Sequence, residues 1–90
     1  MTVINVRKWF EKTNGNTYHT VRVIQSGAGK DRRDLISTIQ YGYESVYLQT
    51  VAELLLATHD TLMASMRIRP EDYYTDIVEV SRKSDLHKIQ

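Results

Sequence analysis

"VINVRKWFEKTNGNTYHTVRVIQ", Val3 to Gln25, decides the fold. In its first half the even positions Ile4, Val6 and Phe10 are apolar, with Lys8 among them, while the odd positions are Val3, Asn5, Arg7 and Trp9. A period of two marks a strand that buries one face. Tyr18 to Gln25 alternates as well, with Val21 and Val23 on one face and Tyr18, Thr20, Arg22 and Ile24 on the other. Between the two runs, Asn14-Gly15 signals a hairpin because both residues tolerate positive φ.

Parity then restricts the register. Ile4, Val6 and Phe10 share a face with Val21 and Val23 only where opposed residue numbers sum to an odd value. A two-residue Asn14-Gly15 loop gives 29 and sets Arg7 against Arg22; a four-residue loop, Asn14 to Thr17, gives 31 and sets Trp9 against Arg22. Like charges directly opposed are destabilising and an arginine over an aromatic ring is favourable, so the four-residue loop is expected.

Working outward, "LISTIQY", Leu35 to Tyr41, reads as a third strand, with the glycine-rich and basic "IQSGAGKDRRD", Ile24 to Asp34, as its connecting loop. From Glu44 to Thr58 the apolar positions follow helical spacing, and the helix either continues through "DTLMASM" or gives way to a short second helix capped by Asp60. "RPEDYY" reads as a helical turn with Pro70 near its first position, and Thr75 to Arg82 as a fourth strand. The expected order is β-β-β-α-β: an α+β domain with an antiparallel sheet of about four strands and one main helix on one face. Residues 1–90 form a single domain, in which the polar end, residues 83–90, is expected to fray.

The 41% hydrophobic and 26% charged residues describe an ordinary globular chain and exclude a disordered one. With no cysteine, neither a disulfide nor a thiolate metal site exists, and a reducing, cytoplasmic setting is expected. The N-terminus lacks the apolar run of a signal peptide, and the longest such run, "LLLA" from Leu54, is too short to span a bilayer, so no membrane partner is expected. The net charge of +1 conceals an asymmetry. Glu44 to Glu79 carries seven acidic residues against Arg67 and Arg69, a balance of −5, whereas the flanks carry +6. If the flanks meet in space, one side of the molecule is basic.

The connecting loop Ile24 to Asp34 resembles a phosphate loop but fails the pattern: Ile24 stands where the first glycine belongs and Asp31 where the magnesium-binding hydroxyl belongs. A turn is the simpler reading, and Lys30, Arg32 and Arg33, with Arg82 and Lys83, stay as candidate contacts to phosphate or to an acidic partner. His19, His59 and His87 have no partner at metal-ligand spacing, so neither a metal nor another cofactor is expected. No catalytic constellation is recognisable. The unusual feature is aromatic. Trp9 and Tyr18 fall with Arg7 and Arg22 on the face opposite Ile4 and Val6, while Tyr41, Tyr43 and Tyr47 cluster before the helix. Aromatics between arginines serve protein hot spots and base stacking alike. The purely structural alternative is cross-strand pairing, with Trp9 partly covered by the C-terminal segment.

At "KWFEKTNGNTYHTVRV" (Lys8–Val23), "QYGYESVYLQTVAELL" (Gln40–Leu55) and "VEVSRKSDL" (Val78–Leu86), about half of the chain, the sequence resembles small uncharacterised accessory proteins of tailed bacteriophages. The resemblance lies in the Trp and Asn-Thr-Tyr-His hairpin, the Tyr-Gly-Tyr junction, the Tyr-Leu-Gln-Thr helix start and the late basic strand. It implies action in the infected bacterial cytoplasm and carries no assigned activity or site. The leading expectation is a non-enzymatic protein that binds and modulates a host protein such as a defence factor, through Arg7, Trp9, Tyr18 and Arg22. The alternative is nucleic-acid binding on a basic, aromatic sheet face, and below it sequestration of a nucleotide signal at an oligomer interface. A homodimer is a further expectation for a small domain with a second non-polar sheet face.

Overall fold

A computed structural model of the chain describes residues 1–27, 30–42 and 44–88. The hairpin of β1 (Thr2–Glu11) and β2 (Asn16–Gly27) forms its centre. Ile4 opposes Val23, Val6 opposes Val21 and Trp9 opposes Tyr18. Opposed numbers sum to 27, so the parity condition holds, but the loop is residues 12–15 and not Asn14 to Thr17. The cause is local. Of the loop residues 12–15, Gly15 alone adopts positive φ, at 69°, and its N–H closes the turn on the Glu11 carbonyl at 2.8 Å. The Asn14 side-chain amide donates to the Glu11 carboxylate at 2.7 Å, which leaves Asn16 and Thr17 free to extend β2. Arg7 then opposes Thr20 and Arg22 opposes Asn5, so neither Arg–Arg nor Trp–Arg opposition occurs.

The far side of β2 is lined by β3 (Lys30–Ile36) and the two-residue β4 (Gln40–Tyr41), end to end and both antiparallel. This corrects two expectations. The supposed loop is largely strand: Ile24 to Gly27 belong to β2 and Lys30 to Asp34 to β3, with Gly27 paired to Lys30. Ala28 and Gly29, on which the phosphate-loop comparison partly rested, lie outside the described residues. The supposed strand Leu35 to Tyr41 is interrupted at Ser37, whose backbone N–H reaches the Val21 carbonyl at 2.8 Å while its hydroxyl accepts the Val21 N–H at 2.9 Å. One serine thus satisfies both backbone groups of Val21 that a ladder partner would have used.

After a 3₁₀ turn at Glu44–Val46, α1 (Tyr47–Leu54) and α2 (His59–Ile68) carry the chain across one face, and β5 (Tyr73–Val80) enters parallel to β1. The α+β class stands: among the described residues, a mostly antiparallel sheet of five strands with two α-helices. The single main helix divides because α1 ends in a Schellman turn. Leu56 takes the left-handed conformation, φ 56°, while its N–H reaches the Glu53 carbonyl and the Ala57 N–H the Ala52 carbonyl. Thr58, not Asp60, caps α2, its hydroxyl accepting the Thr61 N–H at 3.1 Å. No helix among the described residues is long and apolar enough to cross a membrane.

Sheet and helices enclose Ile4, Val6, Val21, Val23, Leu48, Val51, Ala52 and Leu62. These are the even residues of β1 and the odd residues of β2, joined by one stripe of each helix. Gly42 closes the α1 end of this core. Its φ of 144° suits glycine, and a Cβ there would stand 2.6 Å from a Val46 methyl carbon. The opposite face meets the C-terminus. Lys83–Lys88, expected to fray, forms a 3₁₀ segment whose Leu86 is fully buried. The Thr20 hydroxyl donates to the Leu86 carbonyl at 2.7 Å and the Arg7 guanidinium to the Asp85 carbonyl at 3.1 Å. A single leucine in a polar stretch is enough to pin the segment when two sheet side chains take up its carbonyls. Ile89 and Gln90, the rest of the expected tail, lie outside the described residues.

Candidate functional site

The hairpin register builds an aromatic row across three strands. Trp9 on β1 directly opposes Tyr18 on β2, and Tyr18 opposes Tyr41 on β4. Trp9 and Tyr18 stack with centroids 5.8 Å apart and planes inclined by 27°; Tyr18 and Tyr41 meet edge to face at 5.5 Å and 72°. Both geometries are those aromatic pairs prefer. The Tyr41 hydroxyl donates to the Asn16 side-chain carbonyl at 3.2 Å, so the outermost ring is oriented from two sides. Exposure rises along the row. Trp9 and Tyr18 are half-buried, whereas Tyr41 is 60% exposed.

The four expected contact residues divide two and two. Trp9 and Tyr18 belong to the row. Arg7 lies on the same face but holds the C-terminal segment through the Asp85 carbonyl. Arg22 grips Asp34 through both carboxylate oxygens, with Nε to Oδ1 at 2.8 Å. That pairing holds the Asp34 carboxyl below the usual carboxylate range and raises the Arg22 guanidinium. Sequence reasoning missed Tyr41, which it had grouped with Tyr43 and Tyr47. Tyr43 lies outside the described residues. Tyr47 starts α1 and packs against the core, with the Lys8 ammonium 5.1 Å from its ring centre. Only the placement of β4 on β2 reveals what Tyr41 does.

The basic candidates are not brought together. Lys30, Arg32 and Arg33 lie on β3, one edge of the sheet, and Arg33 pairs with Gln25, which pairs with Thr2. Arg82 and Lys83 follow Val80 at the other edge, and Val80 pairs with Trp9, at the opposite end of β1. The two groups therefore occupy diagonal corners. Arg32 lies 3.8 Å from Asp34, Arg33 donates to the Gln25 side chain at 3.4 Å, and Arg82 lies 3.5 Å from Asp85.

Of the histidines, His19 is buried on the helix face, where Nε2 meets the Thr50 hydroxyl at 2.7 Å and Nδ1 faces the Gly42 carbonyl at 3.4 Å. A ring that donates from Nδ1 to Gly42 and accepts from Thr50 at Nε2 is neutral and satisfied. Burial pushes its pKa below the ordinary value, the Gly42 carbonyl pulls it back, and the Lys8 charge adds to the lowering. It serves the packing. Among the described residues no group of three His, Cys, Asp or Glu side chains is placed to hold a metal ion. A hollow of about 410 Å³ opens between the end of α2 and the start of β5, beside Met1, Ser65, Ile68, Arg69 and Tyr73.

No protein-family model, curated protein or solved structure matches the chain.

Proposed function

We propose that this chain is a phage-type accessory protein that acts by binding a host protein in the bacterial cytoplasm, and not by catalysis. Its contact surface is the Trp9–Tyr18–Tyr41 row, and a defence factor is the partner class that the sequence resemblance suggests. The observation that carries this reading is the row itself: three rings held in contact across three strands, one pair stacked and one edge to face, ending in a mostly exposed tyrosine. Tyrosine and tryptophan supply large contact area with few rotatable bonds, which is why they dominate binding hot spots. Here the stacking and the Asn16 hydrogen bond set the rings before any partner arrives, which lowers the ordering cost of association. Arg7 and Arg22 enter as positioning residues: one fixes the C-terminal segment beside the row and the other ties β2 to β3.

Tyr41→Ala is the informative variant, since an exposed ring leaves the core untouched. Immobilised wild-type protein should retain a stoichiometric bacterial protein that Tyr41→Ala retains at least about tenfold less well, the loss expected of a hot-spot residue. Equal recovery by both proteins, with unchanged far-ultraviolet circular dichroism, contradicts the assignment. A mixed-sequence oligonucleotide titrated at low salt serves as the control: tight, salt-sensitive binding would redirect the row to base stacking.

A further inference from the structure

The sheet ends in two unlike edges. β3, at one end, is laden with Lys30, Arg32, Arg33 and Asp34 and carries a register shift against β2 between Gln25 and Gly27. Charge and irregularity are the devices by which proteins keep an edge from pairing with other strands. β5, at the other end, carries only Asp76 and Glu79 and pairs with β1 without irregularity. It runs eight residues, Tyr73–Val80, without lysine, arginine, proline or register shift against β1. The sheet order stops at this strand among the described residues. Three of its apolar side chains, on both faces, stay open, with Tyr74 59%, Ile77 44% and Val78 44% exposed, while Tyr73 packs against the core.

We infer that β5 is a self-association edge, on which a second copy of this chain adds its own β5 antiparallel to form one continuous sheet. The strand's sequence fits itself. A two-fold axis normal to the sheet keeps opposed residues on the same face, so opposed numbers must share parity. Two such registers leave the fewest residues of Tyr73–Val80 unpaired, one centred on Asp76 and one on Ile77. Centring on Asp76 sets that carboxylate against its own copy, a destabilising opposition. Centring on Ile77 sets Ile77 against Ile77, Asp76 against Val78, Thr75 against Glu79 and Tyr74 against Val80, with no like charges directly opposed. Tyr74 then lands on Val80 of the other copy, beside Trp9 in the β1–β5 register. Tyr74 of each copy would thus extend the other copy's aromatic row on the same sheet face, although self-pairing does not depend on the row's binding a partner.

The chain has no cysteine, so one introduced at the axis reports on pairing directly. Opposed Cα atoms on antiparallel strands lie about 4.5–5.5 Å apart, within disulfide reach. With oxidised glutathione as oxidant, Ile77→Cys should cross-link at least about tenfold faster than Ile36→Cys on the opposite edge, because thiols in a dimer meet at an effective concentration of order millimolar. Light scattering should give wild type twice the 10.5 kDa chain mass. Ile77→Lys, which puts like charges on the axis, should halve that mass with the fold intact, and Tyr41→Ala should stay dimeric. A wild-type protein that remains at 10.5 kDa up to high concentration overturns the inference, as does cross-linking of Ile36→Cys at an equal or greater rate.

Discussion

The two faces of the β1–β2 hairpin are built from alternate residues of the same two strands, yet they finish differently. One face carries Ile4, Val6, Val21 and Val23, each at most 1% exposed beneath the helices. The other carries Trp9, Tyr18, Thr20 and Arg22 and, among the described residues, receives only the short Lys83–Lys88 segment, which covers Thr20 and leaves the aromatic row half open. One face uses its apolar area for folding; the other leaves part of it open. Stability should therefore concentrate on the helix face, and binding on the row.

Breaking the closed face should cost most. Ile4→Ala deletes a fully buried side chain between two valine-bearing strands, and a loss of about 3–4 kcal/mol in urea unfolding is expected. That is a large share of the roughly 5–13 kcal/mol that a chain of this size holds. Leu86→Ala should cost less, about 2–3 kcal/mol, because the layer over it is thin and can settle. A loss below about 0.5 kcal/mol, the level of an ordinary surface substitution, would mean that Lys83–Lys88 does not close this face at all.

Acid should act through the closed face as well. His19 is neutral in the fold with its pKa lowered, so above pH 6.5 both folded and unfolded chains carry it uncharged and it leaves stability unchanged. As pH falls below 6.5 the unfolded chain takes up the proton first. Stability should decline from there until the lowered folded value is passed. Urea midpoints between pH 7.5 and pH 5 test this: the decline should shrink in His19→Gln, and an identical decline in that variant would assign the effect to other groups. The smallest expected change is a gain. Leu56→Gly fits the left-handed end of α1 that leucine now occupies, at 90% exposure, and should add about 0.5–1 kcal/mol.

Legibility in the sequence followed the same division. The faces of β1 and β2 could be read because burial on one side enforces alternation, and parity alone limited the register to odd sums. The register itself depended on which residue takes positive φ, and the Asn14-Gly15 pair suggested a centre where only Gly15 bends. Of β3 only Leu35 and Ile36 were read as strand, because an exposed edge puts no demand on alternation and Lys30 to Asp34 looked like a loop. The parallel entry of β5 and the meeting of Tyr41 with Tyr18 are set by the helices' path across the sheet, which no local pattern records. In the candidate site, Trp9 and Tyr18 were found by face parity, whereas the internal commitments of Arg7 and Arg22 required partners far along the chain.

Trp9 is the chain's single tryptophan, so its fluorescence reports on the row without any partner in hand. Acrylamide titration of the folded protein should quench Trp9 to an intermediate degree, clearly more than a buried indole and less than the unfolded chain. Tyr41→Ala should steepen that quenching while shifting the urea midpoint by no more than the roughly 0.5 kcal/mol typical of a surface substitution. A blue-shifted emission that acrylamide does not touch, unchanged by Tyr41→Ala, would show that face to be as closed as the other and would contradict an open aromatic surface kept for a partner.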